Sequence, residues 1–314
     1  MEKPKIAISS CILGNNVRFD GNNKLNAWIV RVLAIHCELI PVCPEVAAGM
    51  SIPREPIRLV KEDGKIKIQG TNTATDHTSL MEKTSSEISA GLIGLSGIIL
   101  QKNSPSCGAE KVKLYNSTGT PVSYDKASDD HRGIFAKIFI NENPQVPFID
   151  SGRFLDNQER EKFLRKVFCH ARFNKLDGSI KALQDFHARY KFLIMEYSQG
   201  DMRKLGNISA NSSRIDPTNT YKNYAQILFS TLNKTPTIKN NINVFEHLLG
   251  FFKHELSSEE KKIFQELIRD YKNKLIPYSV PYKMIDFLVQ KHQQYYLINH
   301  YYFNPFPKNL MVTE

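Results

Sequence analysis

The pattern that most constrains this chain is an alternation that stops. Up to about residue 150, short β-like runs alternate with helical stretches; beyond it the helical period continues alone. Residues 5–10, Glu38–Val42, 97–101 (GIILQ) and 146–149 read as strands, and 25–36, 76–90 and 131–140 as helices between them. Runs at 57–60 and 65–68 flank Glu62-Asp63-Gly64, a hairpin signal. Strands separated by helices pair in parallel through crossovers, so the first part is expected to be a Rossmann-like, mostly parallel sheet.

After Asp150, Asp156 with Glu159 and Ser257 with Glu260 mark capping boxes. Apolar residues at helical spacing predict a helix running on from Asp156, then helices over 179–198, 220–232, 242–254, 259–275 and 280–296. The expected fold class is α/β followed by all-α. An α/β domain over 1–150 precedes a helical bundle over 151–314, and 314 residues suit two domains. Charge divides at the same place. Residues 1–150 hold 17 Lys+Arg against 16 Asp+Glu, and 151–314 hold 25 against 16, so nearly all of the net +10 lies in the second part. Of 32 aromatic residues, 25 lie there too. A near-neutral domain joined to a basic, aromatic-rich one is the composition of a catalytic domain carrying a polyanion-binding module; a Lys-rich bundle with an aromatic core reads the same way. The longest apolar run, 91–100, is half of what a membrane span needs, and MEKPKIAISSC lacks the apolar stretch of a signal peptide. The expectation is therefore a cytoplasmic protein with no membrane partner.

Cysteines stand at 11, 37, 43, 107 and 169, an odd count that argues against a disulfide framework. Cys11, Cys43 and Cys107 each follow a predicted strand, where the C-terminal ends of a parallel sheet face one ligand-binding crevice. Cys37 and Cys169 read as buried core residues. Three converging thiolates could hold a metal. Structural zinc favours four ligands in close CxxC pairs, which are absent. A 4Fe–4S cluster normally takes four cysteines, so three would leave one iron open as a Lewis acid. A thiol redox or nucleophile role, or three incidental buried cysteines, stay open at this level.

Three segments carry a resemblance: SSC-x-L-G-x-x-V-R-F-D-G at 9–21, PVCPE-VAAGMSIPR at 41–54 and KNSPSCG at 102–108. They resemble the thiouracil desulfidase family. The second half, through FHARYK at 186–191, HLLGFFKHELSSEEK at 247–261, IPYSVP at 276–281 and NPFPKNLM at 304–311, resembles the helical domain fused to that module in tRNA 4-thiouridine desulfidases. The resemblance implies a 4Fe–4S cluster on Cys11, Cys43 and Cys107 with one open iron, and catalytic roles for Glu45 and Ser104. It implies non-redox desulfuration of 4-thiouridine in tRNA to uridine, with tRNA as partner and a thiolated base as substrate.

The chemistry is coherent with the residue types. An open, soft iron suits a thiocarbonyl sulfur, Glu45 could act on the attacking water, and Ser104 could hydrogen-bond either. Further substrate contacts are expected at Arg18 and Asp20 after the first cysteine, and at Arg132, which with His131 is expected to open a helix whose N-terminus could hold phosphate. In the helical half, His187, Arg189 and Lys191 lie together, with His187 and Lys191 on one face. Tyr295, Tyr296, Tyr301, Tyr302 and Phe303 could stack bases or fill a core. Two other readings remain: a desulfidase of free thiouracil or a small thioamide, and a non-catalytic iron–sulfur or redox-sensing nucleic-acid binder.

Overall fold

The structure, a computed structural model, describes residues 3–210 and 216–311. The chain falls into two compact units, Met1–Asn174 with Pro307–Glu314, and Lys175–Phe306. The first is mixed α/β and the second helical.

In the first unit the strands are β1 (Lys5–Ser9), β2 (Glu38–Val42), β3 (Ile57–Glu62), β4 (Lys65–Gly70), β5 (Gly97–Leu100), β6 (Leu114–Asn116) and β7 (Phe148–Asp150). Among the described residues one sheet runs β2-β1-β5-β7, with every pair parallel. Ile6, Ala7 and Ile8 of β1 and all of β5 are buried, which is why these strands read as apolar runs rather than alternations. The helices are α1 (Ala34–His36), α2 (Pro44–Ala47), α3 (Thr78–Gly91), α4 (Ile134–Glu142) and α5 (Asn157–Asn174). Phe135, Ala136 and Phe139 of α4 pack with Ala7, Ile98 and Leu100 of the sheet. The second sheet, β4-β3-β6, pairs the expected hairpin with a parallel third strand. Asp63 and Gly64 both take positive φ, as a tight two-residue hairpin turn requires. Leu59, Ile68 and Leu114 of this sheet pack with Met81 and Ile134.

Three expectations need correction. The helix expected over 25–36 leaves Leu25 outside: the Asn26 side chain accepts from Ile29 N–H at 3.1 Å, and Ile29–Leu33 is wound as a π-helix ahead of α1. The helix expected to open at His131 starts at Ile134, because Gly133 is its extended N-cap. The Asp156/Glu159 box is half made. Asp156 accepts from Glu159 N–H at 2.9 Å, but the Glu159 carboxylate turns to Arg153 and Lys162.

The sheet ends at residue 150, whereas the compact units divide after Asn174, because α5 stays with the sheet. A Cβ on Gly97 at the start of β5 would lie 2.7 Å from Val167 and 3.1 Å from Phe163, so the missing side chain is what lets α5 lie against the strand. Arg160 adds a guanidinium 4.5 Å from the centre of the Trp28 ring.

The second unit holds α6 (Ile180–Tyr197), α7 (Gln199–Ala210), α8 (Pro217–Leu232), α9 (Ile238–Leu249), α10 (Ser258–Lys272), α11 (Ser279–Lys291) and α12 (Tyr295–Ile298). Ser179, Asp216, Thr237 and Ser257 cap α6, α8, α9 and α10, each accepting from the third helical N–H. The Ser257/Glu260 box is complete in both directions. No helix among the described residues is long and apolar enough to cross a membrane.

Candidate active site

β1 pairs with β2 on one side and β5 on the other, so the chain leaves these strands in opposite senses and opens a crevice at their C-terminal ends. A cavity of about 580 Å³ opens there, lined by Cys11, Cys43 and Cys107. Cys11 sits on a 3₁₀ turn, Ser10–Leu13, closed by Gly14 at φ 93, a conformation that favours glycine. Its carbonyl also accepts from Lys24 N–H at 2.8 Å, which ties down the loop that follows. Cys43 comes directly after β2, and Pro44, at the first position of α2, turns the chain away. Cys107 lies in a loop organised by Ser104, whose hydroxyl accepts from the N–H of Ser106 and of Cys107 at 3.3 and 3.1 Å.

The Cys107 loop in turn caps α4. The carbonyls of Gly108, Pro105 and Ser106 accept from the N–H of Gly133, Ile134 and Ala136 at 2.8, 3.1 and 3.3 Å. A Cβ on Gly133 would come within 2.5 Å of the Ser106 carbonyl, so this approach of two backbones requires glycine. Behind the loop, the buried Asp150 carboxylate accepts from Ala109 N–H at 3.0 Å. Burial raises that carboxyl to about 6.

The three thiols are not poised as free nucleophiles. Burial pushes the Cys11 thiol up to about 11, raises Cys43, and raises Cys107 furthest. Cys43 adds to the rise at both Cys11 and Cys107. A redox or nucleophilic cysteine needs its thiolate favoured; these environments favour the thiol unless a cation is bound. Cys37 and Cys169 are buried away from the cavity. Among the described residues, no group of three or more His, Cys, Asp or Glu side chains is set to hold a metal ion.

Glu45, on α2 two residues past Cys43, is the only carboxylate lining the cavity among the described residues. Its Oε2 accepts from Arg54 Nε at 2.9 Å and from Arg54 Nη2. Its Oε1 accepts from Ser106 Oγ at 2.6 Å. Ser104 also lines the cavity but reaches Glu45 through Ser106, the two hydroxyls standing 3.0 Å apart. Arg54 further donates to the Val17 and Ser51 carbonyls, stitching the loop after Cys11 to the segment after Cys43. Sequence reasoning missed Arg54 and Ser106. Both lie inside the motif segments, but nothing in their spacing says that they converge on one carboxylate.

Six cations also line the cavity: Arg18, Lys24, Arg54, Arg58, Lys102 and Lys113. Arg18 pairs with Asp20 at 3.4 Å, and Asp20 itself does not line the cavity. Arg58 lies 5.6 Å from the Tyr115 ring centre, and its Nε is buried without a hydrogen-bond partner. Among the described residues, Lys24, Lys102 and Lys113 form no ion pair.

The remaining expected contacts lie elsewhere. Arg132 packs over Phe148 and is not in the lining, and both ring nitrogens of buried His131 face backbone carbonyls, Val112 and Ser123, at 3.0 Å. In the second unit, His187 Nδ1 bonds the Tyr224 hydroxyl at 2.9 Å, and burial lowers its pKa to about 4. Arg189, exposed, donates to the Asn299 carbonyl and lies 4.2 Å from the Tyr301 ring centre; Lys191 lies 5.1 Å from that of Tyr296. Of the five candidate stacking residues, Tyr302 and Phe303 are core, whereas Tyr295 is 72% exposed.

Comparison with known proteins separates the two parts of the chain. The family model of 2-thiouracil desulfurase matches residues 6–151, and that of a protein family of unknown function, DUF1722, matches residues 191–307. The uncharacterized protein YbbK of Bacillus subtilis is 34% identical over 120 residues, covering 36% of this chain and 78% of YbbK. The uncharacterized protein YbgA of Escherichia coli is 28% identical over 128 residues, covering 40% of this chain and 76% of YbgA. Among solved structures, the [4Fe-4S]-dependent thiouracil desulfidase TudS matches with 26% identity and a TM-score of 0.37, over 48% of this chain and 93% of its own.

Proposed function

We propose, for a chain that belongs through residues 6–151 to the 2-thiouracil desulfurase family, that it removes sulfur from 4-thiouridine in tRNA. The observation that carries this reading is the lining of one cavity: three cysteines and one carboxylate, together with four cations that form no ion pair among the described residues, Lys24, Arg58, Lys102 and Lys113. A free thiobase is neutral and needs no such unpaired cations, whereas a thiobase carried on a phosphate backbone does.

The cysteine set suits an iron–sulfur cluster rather than structural zinc: three thiols line one cavity and no CxxC pair joins them. Three raised thiols around one cavity suit a larger cationic centre that deprotonates them on binding. Cys11, Cys43 and Cys107 would hold it, and with no further cysteine in the lining one metal position stays free. A 4Fe–4S cluster held this way supplies a soft Lewis acid for a thiocarbonyl sulfur.

The protein's own groups supply the rest. Lys24, Arg58, Lys102 and Lys113 hold the phosphates and bring the base to the cysteines. Glu45 takes a proton from water at the pyrimidine carbon and passes one toward the departing sulfur. The net change is C=S plus water to C=O plus hydrogen sulfide, with no change of oxidation state and no electron donor. Anaerobic incubation with thiolated tRNA and no reductant should yield one sulfide per thiouridine lost. A strict requirement for a reductant would remove this reading. Free 4-thiouracil turned over as efficiently as tRNA would favour the small-molecule alternative.

A further inference from the structure

The Glu45 carboxylate is gripped from both sides. On one side, Arg54 meets Oε2 with two N–H donors, and its side chain is only 5% exposed. On the other, fully buried Ser106 meets Oε1 at 2.6 Å, within the range of a hydroxyl bonded to an ionised carboxylate. The Ser106 hydroxyl has one proton and three acceptors in reach, Glu45 Oε1 at 2.6 Å, Ser104 Oγ at 3.0 Å and Cys107 Sγ at 3.7 Å; the shortest contact, with the carboxylate oxygen, claims it.

We infer that Ser106 and Arg54 are positioning residues that fix which oxygen of Glu45 works. Arg54 fills Oε2 with two donors, so Oε2 is the anchored oxygen. Oε1 carries a single donor and so keeps acceptor capacity that Oε2 has used. Ser106 sets its direction, so Ser106 and not Ser104 is the hydroxyl that acts directly on Glu45. Arg54 also sets distance: by bonding the Val17 carbonyl as well, it fixes Glu45 relative to the loop that follows Cys11. A lysine cannot reproduce that fork. The inference rests on the desulfurase reading for its effect on rate, but not for the clamp itself.

The test uses the full-length protein, with Ser106→Ala, Ser106→Thr and Arg54→Lys read by kinetics, and Ser106→Ala, Glu45→Gln and their combination read by melting. On thiolated tRNA, Ser106→Ala should lose ~10–100-fold in kcat, the scale of a misplaced catalytic group, with KM within about twofold and iron content unchanged. Ser106→Thr, which restores the hydroxyl, should recover most of that loss. Arg54→Lys should fall at least as far as Ser106→Ala. In metal-free protein, Ser106→Ala combined with Glu45→Gln should lower the melting temperature by less than the two single losses together, because both break one contact. Additive melting shifts, a normal kcat in Ser106→Ala, or a loss that Ser106→Thr does not recover would each overturn the inference. A wild-type protein inert toward every thiolated pyrimidine would instead remove the desulfurase reading, and the melting cycle would still decide the clamp.

Discussion

In the first unit, ionisable and nucleophilic groups face one another across a hole; in the second, they close off helix ends and pair along helix surfaces. Glu45, Arg54, Ser106 and the three cysteines converge on one cavity although they come from three separate segments of the chain. In Lys175–Phe306, Ser179, Asp216, Thr237 and Ser257 satisfy orphan helix N–H groups. Lys181 pairs with Asp185, Lys234 with Asp201 and Lys283 with Asp286. The aromatic surplus goes mostly into packing: Tyr190 stacks on Phe186, Tyr278 on Tyr282, and Tyr302 is 1% exposed. The contrast teaches that reactive residues can be wasteful of stability only where a ligand compensates them, and here that place is the parallel-sheet crevice. The basic surplus divides as well, since α5 and its approach, residues 151–174, carry six Lys+Arg against three Asp+Glu yet belong to the first unit.

The comparison breaks most sharply at the cysteines. Cys11→Ala, Cys43→Ala and Cys107→Ala should each abolish sulfide release, whereas Cys37→Ala and Cys169→Ala should retain it at a modest cost in melting temperature. Retained turnover in any of the first three would move the chemistry out of the cavity. Next, Glu45→Gln should keep its metal and lose about 10²–10⁴ in kcat, measured as sulfide released per loaded protein. Near-normal turnover there would leave the carboxylate a bystander.

Two glycines sharpen the contrast in packing. Gly133→Ala drives a methyl to within 2.5 Å of the Ser106 carbonyl and should cost about 1–3 kcal/mol together with metal retention. Gly250→Ala, at an ordinary helical φ of −57 with open space around it, should gain ~0.4–1 kcal/mol. Denaturant titration of both variants checks the pair, and equal effects would erase the distinction. For substrate, Lys102→Ala with Lys113→Ala should raise KM for tRNA several-fold and flatten its salt dependence by ~0.7–0.9 for each phosphate no longer bound. Arg189→Ala with Lys191→Ala should act on tRNA alone and leave free 4-thiouracil untouched. An equal loss on both substrates would mean that the second unit supports the fold and not the docking of RNA.

The smallest expected effect is on pH. Burial lowers His187 and His300 to about 4 and 3, so the unfolded chain binds the extra proton. Their contribution to stability is complete above the ordinary histidine value of ~6.5 and drains away as pH falls toward 4. Asp150 runs the other way. Its carboxyl is raised to about 6, so its contribution is complete below the ordinary value of ~3.8 and is lost as pH rises through 6. Between pH 4 and 6.5, His300→Leu should therefore weaken the acid sensitivity of the melting temperature, and Asp150→Asn should strengthen it. Parallel slopes in the two variants would contradict the assignment.

Much of this was legible in advance because it depends on local pattern. β1 and β5 are short apolar runs that read as buried strands, β2 is an edge strand with Val42 buried, and each is followed within a few residues by a cysteine, so the convergence of Cys11, Cys43 and Cys107 follows from parallel-sheet geometry. What stayed hidden depends on contacts between segments. β6 is three residues long and exists because β3 offers an edge. α7 carries Gly200, Gly206 and Asn207, which mask its helical period, and a Cβ on Gly206 would lie 3.2 Å from His187, a tight contact that no local pattern announces. The pairing of Glu45 with Ser106 spans 61 residues, and the ring of cations draws on the loops after β1 and β5 as well as on β3. No period in the sequence encodes either.

Metal analysis of anaerobically prepared protein is the most direct test of the central claim, that the first unit's three cysteines form a metal-dependent desulfurase centre. Iron and acid-labile sulfide should each approach about four per chain, with a broad visible absorption that disappears in Cys43→Ala. Zinc in place of iron, or metal-free protein that still releases sulfide from thiolated tRNA, would contradict the account.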